Sequence, residues 1–114
     1  QKIIGFSSLK GEFLKDEIRK WTANSNWELN TDFHFEGYAK TNYELILFIN
    51  KFKLATGIPL DPIYTGKMLY GIVDMIQNKR FKKGSKILVI HTGGLQGIEG
   101  INKVLRQKKM LKII

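Results

Sequence analysis

Apolar and polar residues follow one another along the chain in an order that predicts helices between short strands. Residues 2–6 form a short apolar run of the kind found in buried strands. Leu14, Ile18 and Trp21 then recur at a spacing that lines one face of a helix. A looser alternation over residues 27–35 predicts a second strand.

The middle of the chain carries signals for the start and end of two helices. Thr41 and Glu44 have the spacing of a capping box, in which the hydroxyl and the carboxylate each satisfy a backbone N–H. That helix should end at Gly57, and its apolar face comprises Leu45, Ile49 and Phe52. After a loop with two prolines, another helix should begin near Thr65, with Leu69, Ile72, Val73 and Ile76 on one face.

The last third of the chain predicts a strand, a glycine-containing turn and a helix. Residues 86–90 are apolar on both faces, as in a parallel strand covered by helices. A closing helix is indicated by Ile98, Ile101 and Leu105. The fold class is therefore α/β, a layered fold with a parallel sheet flanked by helices. In such sheets ligands bind beyond the carboxyl ends of the strands, which points to residues 91–94.

Length and strand content suggest that the domain is incomplete. A chain of 114 residues forms one core and is too short for two ordinary domains. Few strands are predicted, and the first begins almost at residue 1, whereas small parallel sheets seldom stand alone. We therefore expect residues 1–114 to be a single incomplete domain that begins upstream of Gln1.

Composition excludes several classes of protein. The hydrophobic fraction is 43% and the charged fraction 25%, as in globular proteins. No secretory signal and no apolar run of ~20 residues is present, so we expect no membrane partner. Cysteine is absent, which excludes disulfides and fits a cytoplasmic protein. The net charge of +9 is spread along the chain, and only residues 103–112 are dense enough for a basic patch.

Candidate chemistry is concentrated in two loops. Residues 64–67 place Gly-Lys at a helix start, but Asp61 and Met68 stand where a phosphate loop needs glycine and Ser or Thr. Residues 92–97 follow a predicted strand and precede a helix, which suits either a ligand-binding loop or a simple tight turn. Neither His34 nor His91 has neighbours at metal-ligand spacing.

Five segments together resemble one enzyme family. Residues 60–67 (LDPIYTGK), 69–71 (LYG), 84–86 (GSK) and 90–94 (IHTGG), with Gly37-Tyr38 upstream, are similar to the D-cysteine desulfhydrase and 1-aminocyclopropane-1-carboxylate (ACC) deaminase family. Each segment alone is weak, but their order and spacing also agree. The resemblance runs from about Gly37 to Gly97.

The resemblance implies a fold and a cofactor. It implies the tryptophan synthase β-like fold, in which pyridoxal 5'-phosphate lies between two α/β domains, and a full-length protein that is a homodimer. The family's Schiff-base lysine lies in an N-terminal region without counterpart here, so this chain should carry half an active site and be inactive alone.

The resemblance also implies roles for matching residues. Tyr64 and Tyr38 correspond to catalytic tyrosines, and Thr65, Thr92 and Gly93 to cofactor-binding positions. In the family, the position of Thr65 faces the pyridine nitrogen, and members of the ACC deaminase type carry glutamate there. They also carry leucine where this chain has Thr92. A hydroxyl supports a weaker electron sink, which suffices to expel a good leaving group such as sulfide.

The expected function is therefore elimination of sulfide from D-cysteine, a small-molecule amino-acid substrate, to give pyruvate and ammonia. Within the family, ACC deamination is the alternative, which the two threonines disfavour. An alternative of another class is a basic nucleic-acid-binding module acting through residues 103–112. The enzyme interpretation expects no nucleic-acid partner.

Overall fold

A computed structural model describes residues 1–114 as four helices and a two-stranded parallel sheet. The α/β class with a parallel sheet flanked by helices is confirmed. No helix has both the length and the apolar character needed to cross a membrane. In chain order the elements are β1 (Ile3–Phe6), α1 (Phe13–Trp21), β2 (Trp27–Asn30), α2 (Tyr43–Thr56), α3 (Thr65–Gln77) and α4 (Gly97–Gln107).

The sheet is small and one helix crosses between its strands. β1 and β2 run parallel, with Ile3 opposite Trp27 and Phe6 opposite Asn30, and α1 makes the connection between them. Helix α3 packs against β1 at Gly71. A Cβ atom on Gly71 would lie 2.6 Å from the Phe6 ring and 2.9 Å from that of Phe33. Glycine therefore allows α3 to approach the sheet.

The main core lies where α2, α3, α4 and the C-terminal residues meet. Asn50 on α2 binds the backbone of Lys112 and Ile114, and Asn102 on α4 exchanges two hydrogen bonds with the backbone of Ile113. These bonds hold the chain end against both helices. The buried apolar residues of this core are Leu45, Ile46, Ile49, Leu60, Leu69, Leu105 and Ile113.

The start of α2 differs from the predicted capping box. Asn42, in an extended conformation, accepts a hydrogen bond from the Leu45 N–H at 2.9 Å and caps the helix in place of Thr41. Glu44 accepts a hydrogen bond from the Tyr70 hydroxyl on α3. The end of the helix is as predicted, because Gly57 adopts a left-handed conformation with φ 76°.

The predicted strand over residues 27–35 is shorter in the structure. β2 ends at Asn30, and the chain then enters a series of turns. Phe35, Glu36, Gly37 and Ala39 all have positive φ, which is incompatible with a strand. The alternation of apolar residues continues past Asn30 because several of these side chains still pack inward from the turns.

The strand predicted over residues 86–90 is absent, which corrects the strongest strand prediction from the sequence. The segment pairs with no other strand, since the only sheet contains β1 and β2. Most of its apolar side chains are uncovered: Leu88 is 88% exposed and Ile90 68% exposed, while Val89 packs against the core. A strand that is apolar on both faces needs hydrogen-bonded neighbours and a covering layer, and nothing in this chain supplies them.

Replacing Gly71 by alanine should destabilise the fold. The new methyl group would overlap the Phe6 and Phe33 rings, an overpacking that costs about 1–3 kcal/mol. Gly100 on α4 is the matched control, because a Cβ there meets no atom within 4 Å and alanine should stabilise that helix by up to ~1 kcal/mol. Denaturant unfolding of both variants measures the difference, and equal stabilities would contradict the close packing of α3 on β1.

Candidate functional site

The candidate site is built around the buried carboxylate of Asp61. This carboxylate accepts hydrogen bonds from the backbone N–H groups of Ile63, Tyr64 and Thr65 at 2.7–2.8 Å. Those N–H groups lie in the turn that leads into α3 and have no helical partners. The Asp61 side chain therefore sets the direction in which α3 begins.

Thr65 is bound to Asp61 through both its donor and its acceptor capacity. Its hydroxyl donates to the Asp61 carboxylate and accepts from the Asp61 N–H at 3.0 Å. The residue is only 1% exposed. Because its proton is directed towards Asp61, the hydroxyl has only acceptor capacity left for a further partner.

Tyr38 and Tyr64 form an exposed pair of phenols. Their hydroxyl oxygens lie 2.9 Å apart, and their ring centroids are separated by 6.0 Å. About half of each side chain is exposed, 51% for Tyr38 and 47% for Tyr64. The structure thus joins the two tyrosines that the sequence predicts as catalytic, although they lie 26 positions apart.

The surroundings of Tyr64 favour its protonated form. The hydrogen bond with Tyr38 raises the pKa of Tyr64, and partial burial and the negative charge of Asp61 act in the same direction. A stabilised phenolate would require a lowered pKa. In this geometry Tyr64 is therefore a neutral phenol that can donate a hydrogen bond.

Lys67 holds the loop that carries Tyr38. Its side chain is 1% exposed, and its ammonium group donates to the carbonyl oxygens of His34 at 2.8 Å and Gly37 at 2.9 Å. Burial lowers the pKa of Lys67 from 10.5 to about 8, although the nearby charge of Asp61 acts to raise it. The link between α3 and residues 34–37 thus places a charged group inside the protein.

The loop of residues 91–94 lies against the loop that precedes α3. His91 Nε2 is 2.9 Å from the Pro59 carbonyl oxygen, and His91 Nδ1 accepts from the Gly93 N–H. These two bonds together require a neutral ring with its hydrogen on Nε2. A Cβ atom on Gly94 would lie 3.2 Å from the Asp61 carboxyl group, and Gly94 has φ 82°. Thr92 is exposed between these contacts.

The structure brings the predicted site residues together around Asp61. Tyr64 and Thr65 follow Asp61 directly, Tyr38 contacts Tyr64, and the loop with Thr92 and Gly93 packs onto Asp61 through its neighbouring glycine. Tyr38, Tyr64 and Thr92 are exposed, whereas Thr65 is covered.

Three supporting residues were missed from the sequence. Asp61 could have been found, because Asp followed by Pro shortly before an apolar helix is a pattern typical of a helix start. Lys67 and His91 gave no such signal, since their partners are backbone carbonyls distant in sequence.

Asp61→Asn should destabilise the chain, because an amide cannot accept from all the donors that the carboxylate binds. Leaving one buried N–H unsatisfied costs about 1–3 kcal/mol. Asp16→Asn is the control, since its exposed side chain pairs only with Arg19 on the surface and should change stability little. Thermal unfolding compares the two, and equal stabilities would show that Asp61 does not organise the helix start.

The stability of the chain should rise with pH between ~8 and ~10 because of Lys67. In that window the unfolded chain holds a proton on Lys67 that the folded chain has released, since folding lowers the pKa to about 8. The free energy of unfolding should therefore rise, relative to Lys67→Met, by up to ~1.4 kcal/mol per pH unit. Denaturant unfolding at several pH values measures this slope. A constant difference would show that Lys67 is not buried as a cation.

Comparison with known proteins places this geometry in a family context. No family model matches the chain. A Pyrococcus horikoshii protein provisionally named 1-aminocyclopropane-1-carboxylate deaminase is 46% identical over 66 residues, which cover 58% of this chain and 20% of that protein. The Arabidopsis thaliana protein named mitochondrial bifunctional D-cysteine desulfhydrase/1-aminocyclopropane-1-carboxylate deaminase is 44% identical over 64 residues, 55% of this chain and 16% of that protein.

A solved structure is similar to this chain over a larger part of its length than the two curated relatives are. The crystal structure of an ACC deaminase homologue superposes with a TM-score of 0.78 and 31% sequence identity, covering 91% of this chain and 34% of that one. The resemblance inferred from the sequence is thereby confirmed, and the relatives are named as enzymes. The chain spans about a fifth or less of the length of the two curated relatives.

Proposed function

We propose that this chain is the C-terminal part of a pyridoxal-phosphate-dependent lyase that acts on D-cysteine and supplies one wall of its active site. The observation that carries the proposal is the exposed Tyr38–Tyr64 pair next to Asp61, the residue on which the 91–94 loop packs. The names of the similar proteins support membership of this family. Both curated relatives are named for ACC deaminase activity, and the Arabidopsis protein also for D-cysteine desulfhydrase activity. The natural substrate is a small amino acid, and no nucleic acid is required.

The surface of the chain supports the proposal that a second part of the protein faces it. Leu88 and Ile90 are largely exposed in a segment whose composition suits a buried parallel strand. Their burial would require neighbouring strands from a region outside residues 1–114. Contiguous exposed apolar groups of this kind mark surfaces that bind another part of a protein.

The residues present fit part of the surroundings that the cofactor needs. Two phenol hydroxyls are open to a ligand, and Gly93 and Gly94, both with positive φ, place no side chain on the loop beside them. Thr65 is buried and its hydroxyl donates to Asp61, so it would reach the cofactor ring only if the residue were uncovered. Lys67 is unsuited to the covalent link, because its ammonium is buried against two carbonyls.

When bound, pyridoxal phosphate would supply the electron sink for breaking bonds at the α-carbon of the substrate. The net reaction converts D-cysteine and water into pyruvate, hydrogen sulfide and ammonia. Tyr64 would handle protons at the substrate, with Tyr38 holding its hydroxyl in place. Its raised pKa keeps the phenol protonated before substrate binds. Thr92 and Gly93 would border the cofactor ring.

Thr65 supports sulfide elimination over opening of the ACC ring. A carboxylate facing the ring nitrogen would stabilise a positive charge there and deepen the electron sink, whereas the Thr65 hydroxyl is neutral and already donates to Asp61. Loss of sulfide, a good leaving group, requires less electron withdrawal than breaking a carbon–carbon bond. ACC deamination is the second candidate because both curated relatives carry that name.

We also propose a cytoplasmic location and a homodimeric full-length protein. The absence of cysteine fits a cytoplasmic location, and the family resemblance suggests the homodimer. The Arabidopsis relative is named mitochondrial, so fractionation of the source cells is the direct test of location.

Tyr64→Phe in the natural-length protein loaded with pyridoxal phosphate should lower kcat for sulfide release from D-cysteine by ~10²-fold or more, because the hydroxyl that would handle substrate protons is lost. The control is Tyr43→Phe, which removes an exposed hydroxyl at the first position of α2 and should leave kcat unchanged. Sulfide and keto-acid release are measured with D-cysteine and with ACC.

Each outcome of that experiment has a definite meaning. Faster turnover of ACC than of D-cysteine by the unaltered protein would overturn the substrate assignment. Turnover of neither would overturn the proposed reaction. Unchanged activity of Tyr64→Phe on the better substrate would overturn the role of the tyrosine.

A further inference from the structure

The loop that presents Tyr38 has an unfavourable backbone conformation. Phe35, Glu36 and Ala39 are non-glycine residues with φ of 53°, 68° and 57°, and Gly37 between them has φ 123°. Side chains disfavour this region of φ, so such a series persists only where surrounding contacts hold it. The local turn bonds are two, from the Gly37 N–H to His34 and from the Lys40 N–H to Gly37, at 3.2 and 3.1 Å.

Lys67 adds two further hydrogen bonds to this loop. Its ammonium group binds the carbonyl oxygens of His34 and Gly37, the same two that accept the turn bonds. The Gly37 carbonyl belongs to the peptide group that joins Gly37 to Tyr38. Binding this oxygen at 2.9 Å fixes the peptide plane from which the Tyr38 side chain departs.

The same helix turn carries both Lys67 and the partner of Tyr38. Tyr64 directly precedes α3, and Lys67 lies three positions later within its first turn. A displacement of the Tyr38 loop relative to Lys67 is therefore a displacement relative to Tyr64. Phe35 of the same loop also packs edge-on against Tyr70 of α3, with ring centroids 4.9 Å apart, but Lys67 is the residue that binds the peptide group preceding Tyr38.

We propose that Lys67 is a positioning residue that holds Tyr38 in hydrogen-bonding distance of Tyr64 by binding the carbonyl oxygens of His34 and Gly37. Its consequence for catalysis rests on the proposed function, in which the tyrosine pair acts on the substrate. The claim that Lys67 holds the two tyrosines together does not rest on the proposed function, and it can be tested without measuring turnover. Lys67 itself touches neither phenol hydroxyl and is buried, so it acts only through the loop.

The first test follows the ionisation of Tyr64 by NMR in the natural-length protein without cofactor, with tyrosine labelled at Cζ. Lys67→Met should lower the pKa of Tyr64 towards its value in Tyr38→Phe, because the pair separates in both variants. Lys67 is uncharged in the pH range where Tyr64 ionises, but its amine keeps two N–H donors for the two carbonyls. The fold should survive, since both carbonyls keep their turn bonds to backbone N–H groups. Lys53→Met is the matched control: Lys53 also binds a backbone carbonyl, that of Ile114, and its loss should not move Tyr64.

The second test uses the unaltered protein and does not depend on any variant folding. Scalar couplings across hydrogen bonds should connect the Lys67 ammonium nitrogen with the carbonyl carbons of His34 and Gly37. Absence of both couplings would overturn the proposal. So would a folded Lys67→Met variant in which Tyr64 ionises as in the unaltered protein.

The catalytic consequence is measured separately. Lys67→Met and Tyr38→Phe should lower kcat by similar factors with little change in KM, and the double variant should lose no more than either alone, because both changes remove the same contact. Additive losses would overturn action through Tyr38. If the unaltered protein turns over neither substrate, the proposed function fails while the NMR result still decides the role of Lys67.

Discussion

The site depends on a buried carboxylate that binds to the backbone instead of to a cation. Asp61 accepts from three consecutive N–H groups and from the Thr65 hydroxyl, which compensates the cost of removing it from water. This network also requires two glycines. A Cβ on Gly66 would lie 2.5 Å from the Asp61 carbonyl oxygen, and one on Gly94 would lie 3.2 Å from its carboxyl group. One residue, through its backbone and its side chain, thereby constrains the start of α3 and the approach of the 91–94 loop.

Two side chains at the start of α3 point in opposite directions. Tyr64 points to the surface, where its hydroxyl meets that of Tyr38, while Lys67 is directed inward to the carbonyls of the Tyr38 loop. The negative charge of Asp61 acts to raise the pKa of both Tyr64 and Lys67, although burial lowers the pKa of Lys67 overall. For Tyr64 this favours the protonated phenol, and for Lys67 it partly offsets the effect of burial. The polar groups of the site are therefore electrostatically linked without direct ion pairs.

Local patterns in the sequence predicted most elements, and contacts between distant segments account for what they missed. The starts of α3 and α4 and the end of α2 at Gly57 follow from spacing and turn chemistry within a few residues. The family resemblance predicted Tyr38 and Tyr64 as a pair. Lys67 could not be predicted as a buried residue, because lysine is usually exposed and its partners lie 30 and 33 positions away. The true cap, Asn42, was missed because Thr41 beside it had equally suitable chemistry.

Residues 86–90 do not form the predicted strand, so the loop of residues 91–94 that follows them must be held in another way. A loop at the end of a parallel strand normally owes its position to the sheet, but this segment is unpaired, and Leu88 and Ile90 are largely exposed. The loop is nevertheless held, because His91 bridges the Pro59 carbonyl and the Gly93 N–H, and Gly94 packs on Asp61. These contacts come from within the chain. The tyrosine pair and the glycine loop can therefore adopt their relative arrangement without neighbouring strands.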